Sequence, residues 1–345
     1  MKPSTGGSTP VRKPTPPRGI ARKRTRLLVV FLVAAPAVLA GCLLLGASGV
    51  GWPDMATRAG RAILNLRVNR VLCGFLVGAA LSCAGLILQA VLRNPLAEPY
   101  VLGVSSGAGL GAAAAILSGL GATSLFALPL CAFAGGAVTI VIVYTLACSG
   151  GKPSVYGLIL SGVIVSSICS SLLMFLVATA PVEGLHSVMW WMLGSLQPAS
   201  RVTLAGTGAI IAIVFSATWI LSRDLNALAL GDEVAHHIGV RTRVIVPVVL
   251  GVATLATGAA VSMAGLIGFV GLIVPHVTRG VFGADHRRLV PAAAVGGGVF
   301  LAVCDALART LMSPVEIPVG VVTALFGGPF FLAILTRKRR QGWLA

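Results

Sequence analysis

Ten apolar runs of about 20 residues each, separated by short polar links, decide what this chain can fold into. They fall at 27–47, 70–91, 100–120, 126–147, 155–178, 202–222, 244–264, 266–282, 289–308 and 316–336, the third and eighth being short or broken by Gly and Pro. Only 10% of the 345 residues are charged and 57% are hydrophobic. A soluble domain carries about 25% charged residues, and no soluble fold of this size hides so much apolar surface. The fold class expected is an all-α polytopic membrane protein with about ten transmembrane helices over 27–336. Residues 1–26 are expected to be a disordered basic tail, and 337–345 a short basic C-terminus.

The net charge of +17 suggests nucleic acid until its placement is considered. With both termini inside, twenty of the 26 Lys and Arg lie on that side and six outside: Arg58, Arg61, Arg67, Arg70, Arg201 and Arg309. This is the bias that orients a multi-pass protein in a plasma membrane, so both termini are expected in the cytoplasm and no nucleic-acid partner is expected. The motif "LAGC" (Leu39–Cys42) resembles a lipoprotein cleavage box, but its apolar run continues through "LLLGA". It is therefore taken as an uncleaved first helix. The seven cysteines lie in apolar runs without a C-x-x-C pair, so they are small core hydrophobes.

Two segments repeat. "GAALSCAGLI" (Gly78–Ile87) and "GAAVSMAGLI" (Gly258–Ile267) agree at eight of ten positions, 180 residues apart, and Pro95 and Pro275 keep the same offset. The copies lie five spans apart and hence run in opposite directions. That is the pattern of an inverted repeat, common in transporters.

No engine accompanies the spans. "LACSGGKP" lacks the first glycine and the final Ser/Thr of a P-loop. "GVSSGAGLG" (Gly103–Gly111) suits close helix packing. Most of the nine acids map to loops. Only Asp305 and Glu316 approach a span, and Asp305 stands one helical turn from Arg309, close enough to pair. Adjacent His236 and His237 diverge by about 100° on a helix and make a poor chelate, and His276 follows Pro275 at a span break. No metal site, catalytic residue or cofactor is expected in this chain. It is either a passive channel or a body powered by a partner.

A partner needs a handle. "LALGDEVAHHIGVRTR" (Leu228–Arg243) carries acids, histidines and arginines between two apolar runs. It is expected to form a short helix stopped at Gly239, with Leu230, Val234 and Ile238 as an apolar ridge. The docking set comprises these with Leu228, Gly231, Asp232, Glu233 and Ala235. The fifth span holds the densest hydroxyl run: Ser161, Ser166, Ser167, Ser170 and Ser171.

Three long stretches carry a resemblance. "RVNRVLCGFLVGAALSCAGLILQAVLRNPLAEPYVLGVSSGAGLG" (Arg67–Gly111), "MAGLIGFVGLIVPHVTRGVFGADHRRLVP" (Met263–Pro291) and "DALARTLMSPVEIPVGVVTALFGGPFF" (Asp305–Phe331) resemble the iron-siderophore, cobalamin and haem permeases, the membrane subunits of type II ABC importers. The resemblance implies a ten-helix subunit that pairs with itself or a related permease. It also implies two cytoplasmic ATPases holding the ATP and Mg, an extracytoplasmic binding lipoprotein, and residence in a bacterial plasma membrane. Iron(III)-siderophore is the implied cargo, with cobalamin or haem as alternatives and an ion-coupled carrier as the rival class. The polar loop then docks the ATPase. Arg67, Arg70 and Arg309 meet acids of the binding protein from exposed positions, and the five serines line the path. The family commonly has proline where Asn69 stands and a basic residue near His236.

Overall fold

The computed structural model describes residues 18–46, 49–120, 124, 126–149 and 152–340. Ten apolar helices match the ten expected spans: α1 (Arg18–Leu43), α2 (Arg58–Val91), α3 (Val104–Leu117), α4 (Ala127–Ala147), α5 (Val155–Ala178), α7 (Arg201–Ile220), α10 (Thr242–Ala264), α11 (Val270–Phe282), α12 (His286–Thr310) and α13 (Val319–Arg340). Seven are long and apolar enough to cross a membrane unaided; α3, α11 and α13 are shorter as apolar helices. Between them lie α6 (Val182–Met192), α8 (Ser222–Leu228) and α9 (Asp232–His237). Two antiparallel ribbons complete the described elements: β1 (Leu45–Gly46) with β2 (Gly49–Val50), and β3 (Cys148–Ser149) with β4 (Lys152–Pro153).

Helix α2 is the axis of the bundle. Its 34 residues make a rod about 51 Å long, more than a bilayer needs. It starts at Arg58, twelve residues before the span at 70–91. Thr57 caps it, its hydroxyl accepting from the Gly60 amide at 3.0 Å. From Val77 to Leu92 every residue is buried, and α12, α10, α11 and α7 pack around it. In a membrane, lipid tails are as apolar as the side chains, so helices associate through close packing rather than water exclusion. Glycines permit that approach. A Cβ on Gly78 would collide with the Gly297 carbonyl of α12, and one on Gly85 with Gly271 of α11. The run Gly103–Gly111 does the same for α3 against α4, where Gly107 meets Thr139 and Gly111 meets the Cys131 carbonyl. Close helix packing is thus what this motif provides.

Several expectations need correction. Helix α1 begins at Arg18, so residues 18–26 are helical; residues 1–17 and 341–345 lie outside the described residues. Cys42 lies within α1 and packs with Val71, Ala302 and Ala306. Pro275 is inside α11 and not at a break. The break comes earlier, at residues 265–269, where Gly265 (φ 70°) and Phe269 (φ 69°) adopt left-handed backbone. The groups freed there find partners: the Ser195 amide donates to the Ala264 carbonyl at 2.9 Å, and the Phe269 amide to Glu98 Oε2 at 3.1 Å. Irregular backbone at membrane depth is tolerated only when buried and satisfied in this way. All seven cysteines are free thiols, five of them buried.

Candidate functional site

At one end of the bundle, α8 and α9 form a compact elbow. Leu225, Ala227, Leu228 and Ala235 are its buried anchors. Gly231 (φ 113°) makes the turn between the two helices, and the Ala235 amide bonds back to its carbonyl at 2.9 Å. Asp232 and Glu233 sit in the first turn of α9 and His236 and His237 in the last, the order its dipole favours. Gly239 (φ 87°) then ends it. Its amide donates to the His236 carbonyl at 3.0 Å and the Val240 amide to the Ala235 carbonyl at 2.9 Å, the paired bonds of a Schellman stop. The helix is shorter than expected, so Leu230 and Ile238 flank it rather than belong to it. Even so, Leu230, Val234 and Ile238 are 56%, 41% and 61% exposed, an apolar ridge facing away from the bundle.

The elbow is braced. Arg93, in left-handed backbone after α2, pairs with Asp232 at 2.8 Å. Asn226 of α8 donates to Asp285 Oδ1 at 2.9 Å and accepts from the His286 amide at 2.9 Å, tying the elbow to the start of α12. Burial works to raise the Asp285 pKa, but the bonds from Asn226 and the Arg287 amide, with the charges of Arg287 and Arg288, hold it below the usual carboxylate range. A cleft of ≈ 180 Å³ separates Pro153 of the β3–β4 ribbon from Asp232, Glu233 and His236 on one side and Arg243 and Val246 on the other. The two histidine rings stand 6.5 Å apart and tilted, and no cluster of three metal-ligating side chains occurs among the described residues.

At the opposite end the three arginines converge as expected: Arg67, Arg70 and Arg309 line one depression of ≈ 260 Å³ with Gly46, Pro198 and Glu316. They are not the free surface charges expected of them. Arg67 is buried, and donates to the carbonyls of Leu43, Gly51 and Gly49 at 2.9, 2.8 and 3.0 Å, holding the β1–β2 ribbon. Arg70 spans Asp305 at 3.0 Å and Glu316 at 2.7 Å. Arg309 pairs with Asp305 at 2.9 Å, one helical turn away, and donates to the Leu45 carbonyl at 2.8 Å. Asp305 is fully buried between two guanidinium groups. Removing one partner of such a set strands a buried charge, typically costing about 3–5 kcal/mol.

The serines of α5 divide between two faces. Ser161 is buried against its own helix, bonding the Gly157 carbonyl, and Ser166 Oγ lies enclosed beside Gly103. These two face the bundle and do not share a surface with the others. Ser167, Ser170 and Ser171 are exposed, among Ile164, Ile168, Leu172 and Phe175. Ser167 and Ser171 bond the carbonyls of Val163 and Ser167, both at 2.9 Å, so this face offers little polar grip.

Residues 27–337 match the sequence profile of the FecCD transport family. The chain belongs to the FecCD transport family. The hemin transport system permease protein of Yersinia pestis is 38% identical over 93% of this chain and 98% of that protein. The cobalamin import system permease protein of Halobacterium salinarum is 40% identical over 78% of this chain and 72% of its own length. The vitamin B12 import system permease protein of Escherichia coli is 35% identical over 93% and 99%. A solved inward-facing structure of an ABC transporter assigned to the metal-chelate type superposes with a TM-score of 0.83 at 29% identity, covering 91% of this chain and 99% of that one. This FecCD chain is therefore a multi-pass membrane permease of the ABC importer class with the type II fold.

Several residues that shape this FecCD permease were not legible as site residues. Asn69 replaces the expected proline without disturbing α2: its side-chain amide donates to the Ala199 carbonyl at 2.7 Å and accepts from the Ala199 amide at 2.9 Å. A proline could make neither bond. Glu316 and Glu98 were visible only as isolated acids, and their partners lie 246 and 171 residues away.

Proposed function

We propose that this permease imports an iron chelate, with an iron(III)-siderophore as cargo, powered by two ATPases that dock on the α8–α9 elbow. The observation that carries the reading is the elbow itself. Three exposed apolar side chains stand on a turn that is capped, anchored and braced, a surface suited to a soluble partner. Its placement in the cytoplasm, with both termini, rests on the Lys and Arg distribution. At the other end, the arginine-lined depression suits acidic lobes of a binding protein, whose carboxylates would compete with Asp305 and Glu316 for the same guanidinium groups. The exposed face of α5 is the surface for a second permease subunit and for the path between them, and its self-satisfied hydroxyls fit a bulky cargo that is passed on rather than bound.

Haem is the second reading for the cargo, favoured by the likeness to the Yersinia pestis protein over nearly its whole length. The test replaces Leu230, Val234 and Ile238 together with Asp. All three are exposed, so the variant should reach the membrane in normal amount. It should lose copurifying ATPase and chelate uptake by at least tenfold. Retained ATPase binding rejects the docking site. Uptake of iron-labelled siderophore and haem against labelled cobalamin in a permease-deleted strain decides the cargo, and accumulation of cobalamin alone rejects the iron chelate.

A further inference from the structure

The end of the bundle that carries the elbow holds a second charged feature. Arg22 and Arg26, on the first turns of α1, and Arg288, at the start of α12, surround a cavity of ≈ 390 Å³ with Thr25. None of these three arginines has an ion-pair partner among the described residues. The neighbouring charges are accounted for. Arg24 lies over Gly283 at the end of α11, where a helix C-terminus favours a cation. Asp285 is hydrogen-bonded to Asn226 and the Arg287 amide; its charge reaches Arg287 and Arg288 without forming an ion pair with either, and leaves Arg22 and Arg26 uncompensated. The chain's own tail cannot neutralise the cavity, because residues 1–26 contain eight basic residues and no acid. Three like charges around one cavity repel one another unless an anion joins them.

Directly deeper, the same helices form an apolar groove of ≈ 260 Å³ between α1, α11 and α12. Phe31, Val277, Val281, Gly296 and Phe300 line it. Its single hydroxyl, Thr278, is occupied by the Val274 carbonyl at 2.8 Å. Phe31 lies five residues beyond Arg26, about 7–8 Å along α1; Gly296 lies eight beyond Arg288, about 12 Å along α12. Leu28, Phe282 and Ala292 pack the three helices together, with Phe31 and Leu32 against them. The order from the bundle end inward is thus cationic cavity, then apolar groove. Gly296 contributes to the groove by having no side chain, and two aromatic rings, Phe31 and Phe282, close its near end 5.5 Å apart.

We infer that the Arg22–Arg26–Arg288 cavity and the Phe31–Val277–Phe300 groove form one binding site for an anionic phospholipid, phosphodiester in the cavity and acyl chain in the groove. Guanidinium groups match phosphate oxygens in charge and geometry, and basic pockets at the end of membrane helices recognise anionic headgroups. The site lies apart from the elbow ridge, the arginine depression and the exposed face of α5. Its occupant would pin α1 to α11 and α12.

The test is native mass spectrometry of the full-length permease titrated with three probes: dioleoyl phosphatidylglycerol, dioleoyl phosphatidylcholine and glycerophosphoglycerol, which has the headgroup without chains. One tight phosphatidylglycerol adduct is expected, with the other two probes at least tenfold weaker. Each arginine contributes about fivefold near a membrane surface, so Arg22→Gln should weaken binding about fivefold, and Arg22→Gln/Arg26→Gln/Arg288→Gln together by about two orders of magnitude. Val281→Trp, which fills the groove and leaves the cavity, should also weaken it. Arg287→Gln, a neighbouring charge outside the cavity, should not. Circular dichroism checks that the triple variant is folded, and the single variant carries the test if it is not. Equal binding of phosphatidylcholine overturns the inference. So does glycerophosphoglycerol binding as tightly as the lipid, which would make this a free-phosphate site, or binding indifferent to Arg22→Gln and to Val281→Trp.

Discussion

The two copies of the repeat share eight of ten residues and do not share a structure. "GAALSCAGLI" lies wholly inside α2, buried along its length. "GAAVSMAGLI" is helical only as far as Ala264, and its last three residues leave α10 through a left-handed Gly265. Gly85 and Gly265 occupy the same place in the pattern. One is a helical contact with Gly271; the other is a turn wedged against the Trp191 carbonyl. The divergence comes from the residues just past each copy. "LQAV" after Ile87 continues with good helix formers, whereas "GFVG" after Ile267 places two glycines in four positions. Tertiary partners then fix the break: Ser195 takes the freed Ala264 carbonyl, and Glu98 takes the Phe269 amide at the start of α11. A sequence repeat therefore marks a shared packing surface of small residues more reliably than a shared backbone.

Gly265→Ala should separate the copies most sharply. It adds a collision with the Trp191 carbonyl, about 1–3 kcal/mol, to the backbone cost of an alanine at φ 70°, ψ −154°, a region nearly closed to other residues, about 1–3 kcal/mol. Gly85→Ala carries only the collision with Gly271. Thermal unfolding of the purified permease should rank Gly265→Ala lowest and Gly85→Ala next; the reverse order would mean that the backbone break is not what distinguishes the copies. A smaller loss, about 1–3 kcal/mol, is expected for Glu98→Ala, which leaves the Phe269 amide without its acceptor. Glu98→Gln keeps an acceptor and should recover about half of that in the same assay. Smallest, and opposite in sign, is Gly251→Ala in α10, where a new Cβ meets nothing within 4 Å. It should stabilise by about 0.5–1 kcal/mol, and a loss there would show that α10 needs flexibility before its break.

Much of this fold is legible from the sequence because a membrane span is a local property. Twenty apolar residues announce a helix whatever surrounds them. The elbow ridge was legible for the same reason, since Leu230, Val234 and Ile238 lie within nine residues. Asp305 and Arg309, one turn apart, were also readable as a pair. The early start of α2 was hidden because Arg58–Asn69 is too polar to count as a span, although Thr57 is an ordinary helix cap. The arginine depression was half legible. Topology brought its members to one end, but the carbonyls and carboxylates that occupy them come from the end of α1, the β1–β2 ribbon and the residue after it, α12 and the loop before α13. Charge can be counted in a sequence; whether it is already spoken for cannot. The serines of α5 failed for a related reason, since a helix has two faces and composition does not say which one is open.

Helix α12 joins the elbow end of the molecule to the arginine end. Asn226 grips its first residue, Asp305 and Arg309 stand near its last, and Gly297 meets the backbone of Gly78 midway. The distance from Asp285 to Asp305 is about 30 Å of continuous helix. It lies against α2 over that length, Gly74 close to Ala302, Gly78 to Gly297 and Phe75 to Gly298, so its two ends are the two ends of one packed pair. An elbow that moves Asn226 has to carry α2 along with α12 to reach Asp305 and Arg309.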